Sequence, residues 1–374
     1  MQTSNFSRLN HTGQQYPGAC ILGEPGSGKS IAAGHEIEDV LKNTNDRVIV
    51  LDSCNAYHYL TVITDGDFYD FSPQSENCIN PFDMSGFDDD FSMEKKVELK
   101  GELLAAICSG LFHPHALAED EALCIKKNVE KLYSSMEEPT LWDFLTALNE
   151  SGSPVERSIG RVIEAYVKIH LGVFSEKTNI RPEKNLTVFG IGNIAPVSQG
   201  TALLICMEQA ARLVMENAKR GSRTWIYMDD IRPLLRNRQA LDILYHFWEE
   251  ADVYNAMPCL VCQDTAMLLC QNYTRQILKN SSYVMALKMS EQESNMVSDI
   301  LEISGVNEKY LKESIYSDYG TGILWIDNNC VRLKNFSGTT DTVVEEVKTP
   351  AELLMEDLFR AGDQCVQKGT EGNE

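Results

Sequence analysis

The sequence predicts an α/β fold in which a mostly parallel β-sheet is flanked by helices, with an all-helical insertion and a closing β-hairpin. Short apolar runs of strand length recur along the chain. Segments with apolar residues at helical spacing alternate with these runs, which is typical of a parallel sheet with crossover helices. From about Met93 to about Leu171 helical periodicity continues without a strand-like run, so this part is predicted to be entirely helical.

The first part of the core is predicted over residues 1–92. The run GACIL, just before Gly23, is predicted to be a buried strand, and IAAGHEIEDVLKN, just after Lys29, is predicted to be a helix. The apolar run RVIVLD predicts a second strand that ends at Asp52. The helical insertion is assigned to residues 93–175.

The second part of the core is predicted over residues 176–342, where strand-like runs resume. In chain order these runs are NLTVFGIG, TWIYMDD, PCLVCQD, SYVMALKM, TGILWID and CVRLKNF, and the last two form the closing hairpin. A long helix is predicted from about Gln199 to Lys219. Residues 343–374 are predicted to be an acidic tail with one peripheral amphipathic helix, AELLMEDLFRAG, and a disordered end.

Composition limits the classes of function. The chain has 374 residues, 43% of them hydrophobic, which is enough for one large core or two modest ones. Its 55 acidic and 33 basic residues give a formal charge of -22, which disfavours direct nucleic-acid binding. No apolar stretch reaches the length of about 20 residues that spans a membrane, and the N-terminus lacks a signal-peptide pattern. A cytoplasmic protein is predicted, with any position at the inner face of the cell membrane held through partners.

The eleven cysteines do not form a spaced framework, which indicates reduced thiols. Cys259 and Cys262 are the one pair of cysteines separated by two residues, and no second pair of this kind completes a zinc site. Because they stand in the apolar run MPCLVC, they are predicted to be buried strand residues. His113 and His115 stand in a predicted loop and are interpreted as surface residues.

The stretch GEPGSGKS matches the Walker A pattern of a phosphate-binding loop (P-loop), with a predicted strand before it and a helix after it. In such a loop the backbone N–H groups surround the β-phosphate, Lys29 neutralises charge and the Ser30 hydroxyl takes Mg²⁺. ATP and Mg²⁺ are therefore the predicted cofactors. The predicted nucleotide-binding residues of this stretch are Gly23, Glu24, Pro25, Gly26, Ser27, Gly28, Lys29, Ser30 and Ile31.

A P-loop also needs a carboxylate at the end of a neighbouring strand to hold the magnesium water shell, and RTWIYMDD supplies Asp229. Ser30 and Asp229 are the predicted metal residues. Asp230 stands where many such ATPases place a glutamate that polarises the attacking water. Its side chain is one methylene shorter, so it would hold that water less well. The alternative interpretation of Asp230 is an N-cap of a helix before IRPLL.

Gln263 ends the next strand, where a polar side chain can sense the γ-phosphate or can simply cap a turn. The order of P-loop, acidic strand end and polar strand end is typical of RecA-like ATPases. The predicted catalytic residues are Lys29, Asp229, Asp230 and Gln263.

The ordered set of motifs resembles the C-terminal ATPase domain of the conjugative type IV secretion ATPases, the VirB/TraE class within the HerA/FtsK superfamily of hexameric pumps. The resemblance covers most of the chain and implies a RecA-like P-loop NTPase core. The matching stretches are the P-loop with Glu36 on its helix, VIVLDSCNAY, INPFDM, GVFSEKTNI, NLTVFGIGNI, RTWIYMDDIRPLL, HFWEEADVYNAMPCLVCQDTAMLL, TRQILKNSSYVMALKMSEQE and YGTGILWID. In that family such domains energise pilus assembly and substrate transfer at the inner membrane. The implied partners are a homo- or hetero-oligomeric ring of related ATPases and components of the secretion channel.

The chain departs from the family pattern at several positions. The usual second-strand glutamates are replaced by Cys54 and Ala56. The basic segment that carries a plausible arginine finger is replaced by Asp252 and Val253, and such a finger contributes about 10³- to 10⁵-fold in rate. The P-loop begins after only 22 residues, so the family's large N-terminal domain and its usual docking on the channel are not expected.

Two basic residues remain as candidates. Arg275, in TRQILKN, falls where family members often keep an arginine and is counted among the nucleotide-binding candidates. Arg223 opens the strand that carries Asp229. Each is interpreted either as a phosphate contact or as a surface residue.

Three functional hypotheses follow. The first is an ATPase of the type IV secretion class that hydrolyses Mg-ATP through Lys29, Ser30, Asp229 and Asp230, with Gln263 reporting the γ-phosphate. The second is a weakly or non-hydrolysing nucleotide-binding paralogue that acts as a structural or regulatory partner of a complete ATPase. A DNA-translocating pump is disfavoured by the acidic charge.

Overall fold

The computed structural model describes residues 18–112, 117–326 and 328–334, and the backbone of residues 344–345. Within these ranges ten strands form one sheet. In chain order they are β1 (Ala19–Leu22), β2 (Arg47–Asp52), β3 (Asp67–Asp70), β4 (Leu186–Gly190), β5 (Thr224–Asp229), β6 (Ala256–Cys262), β7 (Tyr283–Leu287), β8 (Gly322–Ile326), β9 (Asn329–Leu333) and β10 (Val344–Glu345).

Twelve α-helices accompany the sheet in the same described ranges. They are α1 (Lys29–Asn43), α2 (His58–Thr64), α3 (Met93–Leu111), α4 (Glu119–Ser135), α5 (Leu141–Glu150), α6 (Pro154–Ile169), α7 (Pro196–Lys219), α8 (Arg238–Glu250), α9 (Thr265–Leu269), α10 (Asn272–Lys279), α11 (Glu291–Leu301) and α12 (Gly305–Glu313). Among the residues so described, no helix combines the length and the apolar character needed to cross a bilayer.

The strand order is β10-β9-β8-β7-β1-β6-β5-β2-β4-β3. The seven strands from β7 to β3 pair in parallel, and β8, β9 and β10 add antiparallel pairs at the other edge. The carboxyl ends of the parallel strands therefore meet at one edge of the sheet. Because β6 lies between β1 and β5, the P-loop and the acidic strand end are separated by one strand, as in RecA-like ATPases. The predicted α/β fold class and the closing hairpin of β8 and β9 are confirmed.

Alternate strand residues pack into two apolar layers, one on each face of the sheet. In β1, Ile21 joins the layer that includes Ile37 of α1, and Cys20 joins the layer on the opposite face. The second layer continues into the helices of the predicted insertion, where Phe144 of α5 is fully buried. The helical character of that segment is confirmed by α3 to α6, and these helices share one apolar cluster with the sheet.

Some elements differ from the predictions. The strand β3 was not recognised in the sequence, because its residues DFYD are only half-buried and end in aspartates. Helix α7 begins at Pro196 rather than at Gln199, since proline suits the first helical turn. The predicted tail lies outside the described residues except for β10, whose backbone pairs with β9. His113 and His115 also lie outside them.

A buried ionic cluster joins α3 to α7 and to the segment before α3. Lys100 Nζ lies 2.6 Å from Glu208 Oε1, and Arg212 lies 3.0 Å from Glu208 and 3.2 Å from Asp83. Lys100 and Arg212 are only 1% and 2% exposed. Burial lowers the pKa of Lys100 to about 8, although Glu208 opposes this shift. Two cations and two carboxylates thus compensate each other inside the protein.

Helix α1 carries a buried carboxyl group that contacts the first residue of β7. Glu36 is 4% exposed, and the hydroxyl of Tyr283, on β7, donates a hydrogen bond to Glu36 Oε1. Burial raises the pKa of Glu36 from 4.5 to about 7, against the opposing effect of that hydrogen bond. The carboxyl therefore keeps its proton in the folded chain well above the pH at which an unfolded chain releases it.

Replacement of Glu36 by glutamine is expected to remove one pH-dependent part of the stability. Between about pH 4.5 and 7 the folded chain holds a proton on Glu36 that the unfolded chain has released, so the free energy of unfolding falls as the pH rises. The free energy of unfolding of Glu36→Gln minus that of wild type should be larger at pH 8 than at pH 5, by at most about 3 kcal/mol. Urea unfolding at both pH values measures this difference. Glu38→Gln, a partly exposed position on the same helix, is the control, and an equal effect of Glu36→Gln at both pH values would contradict the assignment.

Candidate nucleotide-binding site

The P-loop joins the carboxyl end of β1 to the first turn of α1. Gly23, Gly26 and Gly28 have φ values of 149°, 77° and 100°, in the region that favours glycine. A Cβ at Gly23 would lie 2.7 Å from Ser27 Oγ, whereas no atom lies within 4 Å of a Cβ built at Gly26. The loop is thus tightly closed on the side of Gly23 and open above Gly26, as a phosphate cradle requires.

Lys29, the first residue of α1, bends back over this loop. Its ammonium group donates hydrogen bonds to the Glu24 carbonyl at 2.7 Å and to Ser27 Oγ at 3.3 Å. The side chain is buried, and burial lowers its pKa while the charge of Asp229 opposes the shift. Among the described residues no carboxylate forms an ion pair with this ammonium, so its position suits an anionic ligand.

Ser30 and Asp229 come together as predicted. The Ser30 hydroxyl donates a hydrogen bond to Asp229 Oδ2 at 3.1 Å, although the two residues belong to different elements. Asp229 is 2% exposed, and burial raises its pKa to about 6, with the nearby charge of Asp52 adding to the shift. A cation would stabilise the charge of this buried carboxylate. The carboxylate and the neighbouring hydroxyl supply the oxygen ligands that Mg²⁺ prefers. These two side chains could hold the metal.

Asp230 is held by an arginine. Arg232 donates hydrogen bonds from Nε to Asp230 Oδ1 at 2.6 Å and from Nη2 to Oδ2 at 2.5 Å. Asp230 has a positive φ of 66°. The interpretation of Asp230 as a helix N-cap is wrong, because residues 231–236 form turns and α8 is capped by Asn237, which accepts from the Ala240 amide.

Gln263 follows β6 and lies between Asp230 and the P-loop. Its amide donates to Asp230 Oδ2 at 3.3 Å and it lines the same cavity as the P-loop. It does not cap the following turn, since Asp264 caps α9 by accepting from the Met267 amide at 2.8 Å. The Gln263 side chain therefore contacts Asp230 and also faces the P-loop cavity.

The cavity at the P-loop has a volume of about 490 Å³, within the range of small-molecule sites. It is lined by Pro25, Gly26, Gly28, Lys29, Ser30, Ile31, Cys54, Asp229, Gln263 and Tyr319. Asp230 and Arg232 line a neighbouring cavity of about 560 Å³ next to the first turn of α7. The predicted water-polarising carboxylate thus belongs to the adjacent cavity rather than to the P-loop cavity.

Cys54 stands at one of the positions where the resemblance implies a glutamate. Asp52 holds the loop that carries it, because the carboxylate accepts from the backbone amides of Cys54, Ala56 and Tyr57 at 2.9 to 3.1 Å. Burial raises the pKa of Cys54 to about 11, with Asp229 and Asp230 adding to the shift. A neutral thiol therefore faces the cavity here.

The two other arginine candidates do not line the P-loop cavity. Arg223 stacks over Trp225 at 5.3 Å, at the opposite end of β5 from Asp229. A six-residue strand is about 20 Å long, so the predicted phosphate contact of Arg223 within this subunit is wrong. Arg275 is exposed on α10 and donates to the Leu269 carbonyl at 2.5 Å.

The structure also locates two further pairs of residues that the sequence analysis singled out. Asp252 and Val253 are exposed in the turn after α8. Cys259 and Cys262 are fully buried in β6, as predicted.

Two residues of this region were not recognised in the sequence. Arg232 belongs to no motif in the sequence, and only the turn that follows Asp230 places its guanidinium beside that carboxylate. Tyr319 belongs to the segment before β8 and lines the P-loop cavity. The only local signal in the sequence was the glycine that follows it, Gly320, whose φ of 72° allows a sharp turn.

The fold and the site together define a P-loop NTPase of RecA-like architecture. Residues 9–146 match the family model of the TraG P-loop domain. Among solved structures, VirB4 of Thermoanaerobacter pseudethanolicus matches with a TM-score of 0.74 and 16% identity over 90% of each chain. The bacterial conjugative coupling protein TrwB matches with a TM-score of 0.50 and 13% identity, over 90% of this chain and 78% of that chain. A comparison with curated proteins gave no match.

These findings confirm the predicted resemblance for residues 9–146, which match the TraG P-loop domain. The VirB4 match shows the same fold over nine tenths of the chain.

Proposed function

We propose that this chain binds Mg-ATP in its P-loop cavity and works as an ATPase of a conjugative type IV secretion system, with a turnover that Arg232 restrains. The observation that carries the proposal is the joint placement of Lys29, Ser30 and Asp229 at one cavity. The open loop above Gly26 would receive the β-phosphate, Lys29 would neutralise its charge, and Ser30 with Asp229 would hold the magnesium and its water.

Hydrolysis needs a base for the attacking water. As water attacks the terminal phosphorus, the bond to the leaving ADP oxygen breaks and the water proton passes to a carboxylate, for which Asp230 is the candidate. Both Asp230 oxygens accept hydrogen bonds from Arg232, and Oδ2 also accepts from Gln263. Asp230 therefore has to break charge-assisted bonds before it can accept a proton, and slow turnover follows.

Arg232→Met is expected to raise the Mg-ATP turnover number by about 10-fold, since a hydrogen bond to a charged group contributes about 1.5–3 kcal/mol. Steady-state phosphate release by the purified chain measures this change. Arg236→Met is the matched control, because Arg236 lines the same neighbouring cavity without a hydrogen bond to Asp230. Adding Asp230→Asn to Arg232→Met should abolish the gain. A turnover that stays constant or falls in Arg232→Met would show that Arg232 does not restrain the base.

A second candidate function is that of a weakly hydrolysing partner in a ring of related ATPases that serves the secretion channel. The exposed Asp252 and Val253 favour it, because in a ring this turn would offer an acid, rather than an arginine, to a neighbouring phosphate site. The same phosphate-release assay separates the two functions when it is repeated with a full-length family member from the same source. Stimulation only in the mixture supports the partner role, whereas ordinary turnover by the chain alone excludes it.

A further inference from the structure

We propose that Tyr319 is the platform on which the nucleobase of the bound nucleotide stacks, a contact that deepens and rests on the proposed Mg-ATP binding. The Tyr319 ring lies at the P-loop itself. Its Cδ2 would be 3.5 Å from a Cβ built on Gly28, and the side chain lines the P-loop cavity. Tyr319 is 49% exposed as a residue and its side chain lines the cavity, so it is accessible to a ligand there.

The segment that carries Tyr319 is attached to the P-loop by backbone hydrogen bonds. The Gly320 amide donates to the Ser27 carbonyl at 2.8 Å. The amide of Lys288 donates to the Thr321 carbonyl at 2.8 Å, and the Lys288 carbonyl accepts from the Glu24 amide at 2.9 Å. These bonds hold the backbone that carries the ring in place before a ligand arrives, so binding costs little backbone entropy in this segment.

A side chain also attaches the segment that carries Tyr319. Lys288 Nζ donates to the Ser317 carbonyl at 3.2 Å, which fixes the segment on the other side of Tyr319. Gly320, buried and with φ of 72°, allows the sharp turn between Tyr319 and β8. The backbone position of Tyr319 is thus held by contacts among three chain segments, of which the P-loop is one.

The cavity wall contains two kinds of surface. Lys29, Ser30, Asp229 and Gln263 supply the charge and hydrogen bonds that phosphates and a metal need, whereas Ile31, 47% exposed, and Tyr319 are apolar. A nucleoside triphosphate has the matching division between a charged end and a flat aromatic end. Because stacking reads the face of a base and not its edges, Tyr319 should favour nucleotides over bare polyphosphate without choosing between ATP and GTP.

Isothermal titration of the full chain with Mg²⁺ and either ATP, GTP or inorganic tripolyphosphate tests this role. Tyr319→Ala should weaken ATP and GTP binding by about 10-fold and leave the tripolyphosphate affinity within about twofold. Tyr319→Phe should keep the wild-type affinities because it keeps the ring. Tyr316→Ala is the control, since Tyr316 is 90% exposed and lies three residues upstream outside the cavity lining.

The outcomes separate this contact from the site itself. Unchanged ATP affinity in Tyr319→Ala, or an equal loss for ATP and tripolyphosphate, would overturn the stacking role while leaving Mg-ATP binding intact. Equal wild-type affinities for ATP and tripolyphosphate would overturn it as well. A wild-type chain that binds neither ligand would overturn the proposed function together with the stacking role.

Discussion

Lys29→Ala is expected to weaken ATP binding at least about 100-fold and to abolish Mg-ATP turnover, because hydrogen bonds from a charged donor contribute about 1.5–3 kcal/mol each. The Lys29 ammonium is buried over the P-loop and donates to the neutral oxygens of Glu24 and Ser27. A phosphate would give this cation an anionic partner in direct contact. Isothermal titration with Mg-ATP and a phosphate-release assay measure the two losses.

Lys42→Ala is the control for Lys29→Ala. Lys42 stands on the same helix, its side chain is 68% exposed and it pairs with Glu38 one turn away, so its removal should change neither affinity nor turnover. Retained ATP affinity in Lys29→Ala would mean that the P-loop cavity is not the nucleotide site, and the proposed function would fail with it.

Arg212→Met is expected to lower the free energy of unfolding by about 3–5 kcal/mol, because removing one member of a buried ionic group leaves its partners uncompensated. Arg212 is 2% exposed and lies 3.2 Å from Asp83 and 3.0 Å from Glu208. Burial raises the pKa of Asp83, whereas the charge of Arg212 lowers it, and the resulting pKa lies below the ordinary value. Without that charge Asp83 has to bind a proton or move into water.

Urea unfolding at neutral pH compares this variant with Arg220→Met. Arg220 belongs to the end of the same helix, and its guanidinium lies 3.9 Å from Glu216 on the surface, so its loss should cost about 1 kcal/mol or less. A loss in Arg212→Met no larger than that of the control would show that water reaches the cluster. The helical segment from α3 would then be attached to the sheet mainly by its apolar contacts.

The predicted turnover depends on Arg232, which belongs to none of the sequence motifs. The P-loop and Asp229 would function alike in a fast and in a slow ATPase, whereas under the proposed function Asp230 has to release Arg232 before it accepts a proton from water. Gln263 contacts Asp230 and lines the P-loop cavity, so in this proposal it connects nucleotide binding to the release. The proposed reaction is therefore slowed where Asp230 leaves Arg232.

Much of the site was predictable from the sequence, because its parts are local. The P-loop residues are consecutive, and their glycines and lysine act through the backbone of one turn. Asp229 was predictable because a carboxylate at the end of an apolar run has to lie at the edge where parallel strands end. The helical segment was predictable from periodicity, whereas β3 was not, since its half-buried residues carry no clear alternation.

The sequence by itself determined the α/β fold, the phosphate cradle and the position of Asp229 at the end of a strand, because apolar periodicity and one contiguous motif specify them. Only the tertiary structure decided the partner of Asp230, the approach of Tyr319 to Gly28 and the distance of Arg223 from the cavity. The physical reason is that these features depend on strand order, on a left-handed backbone at Asp230 and on the turn of residues 231–236. Packing between segments far apart in the chain sets all three, and no local pattern of residue types encodes that packing.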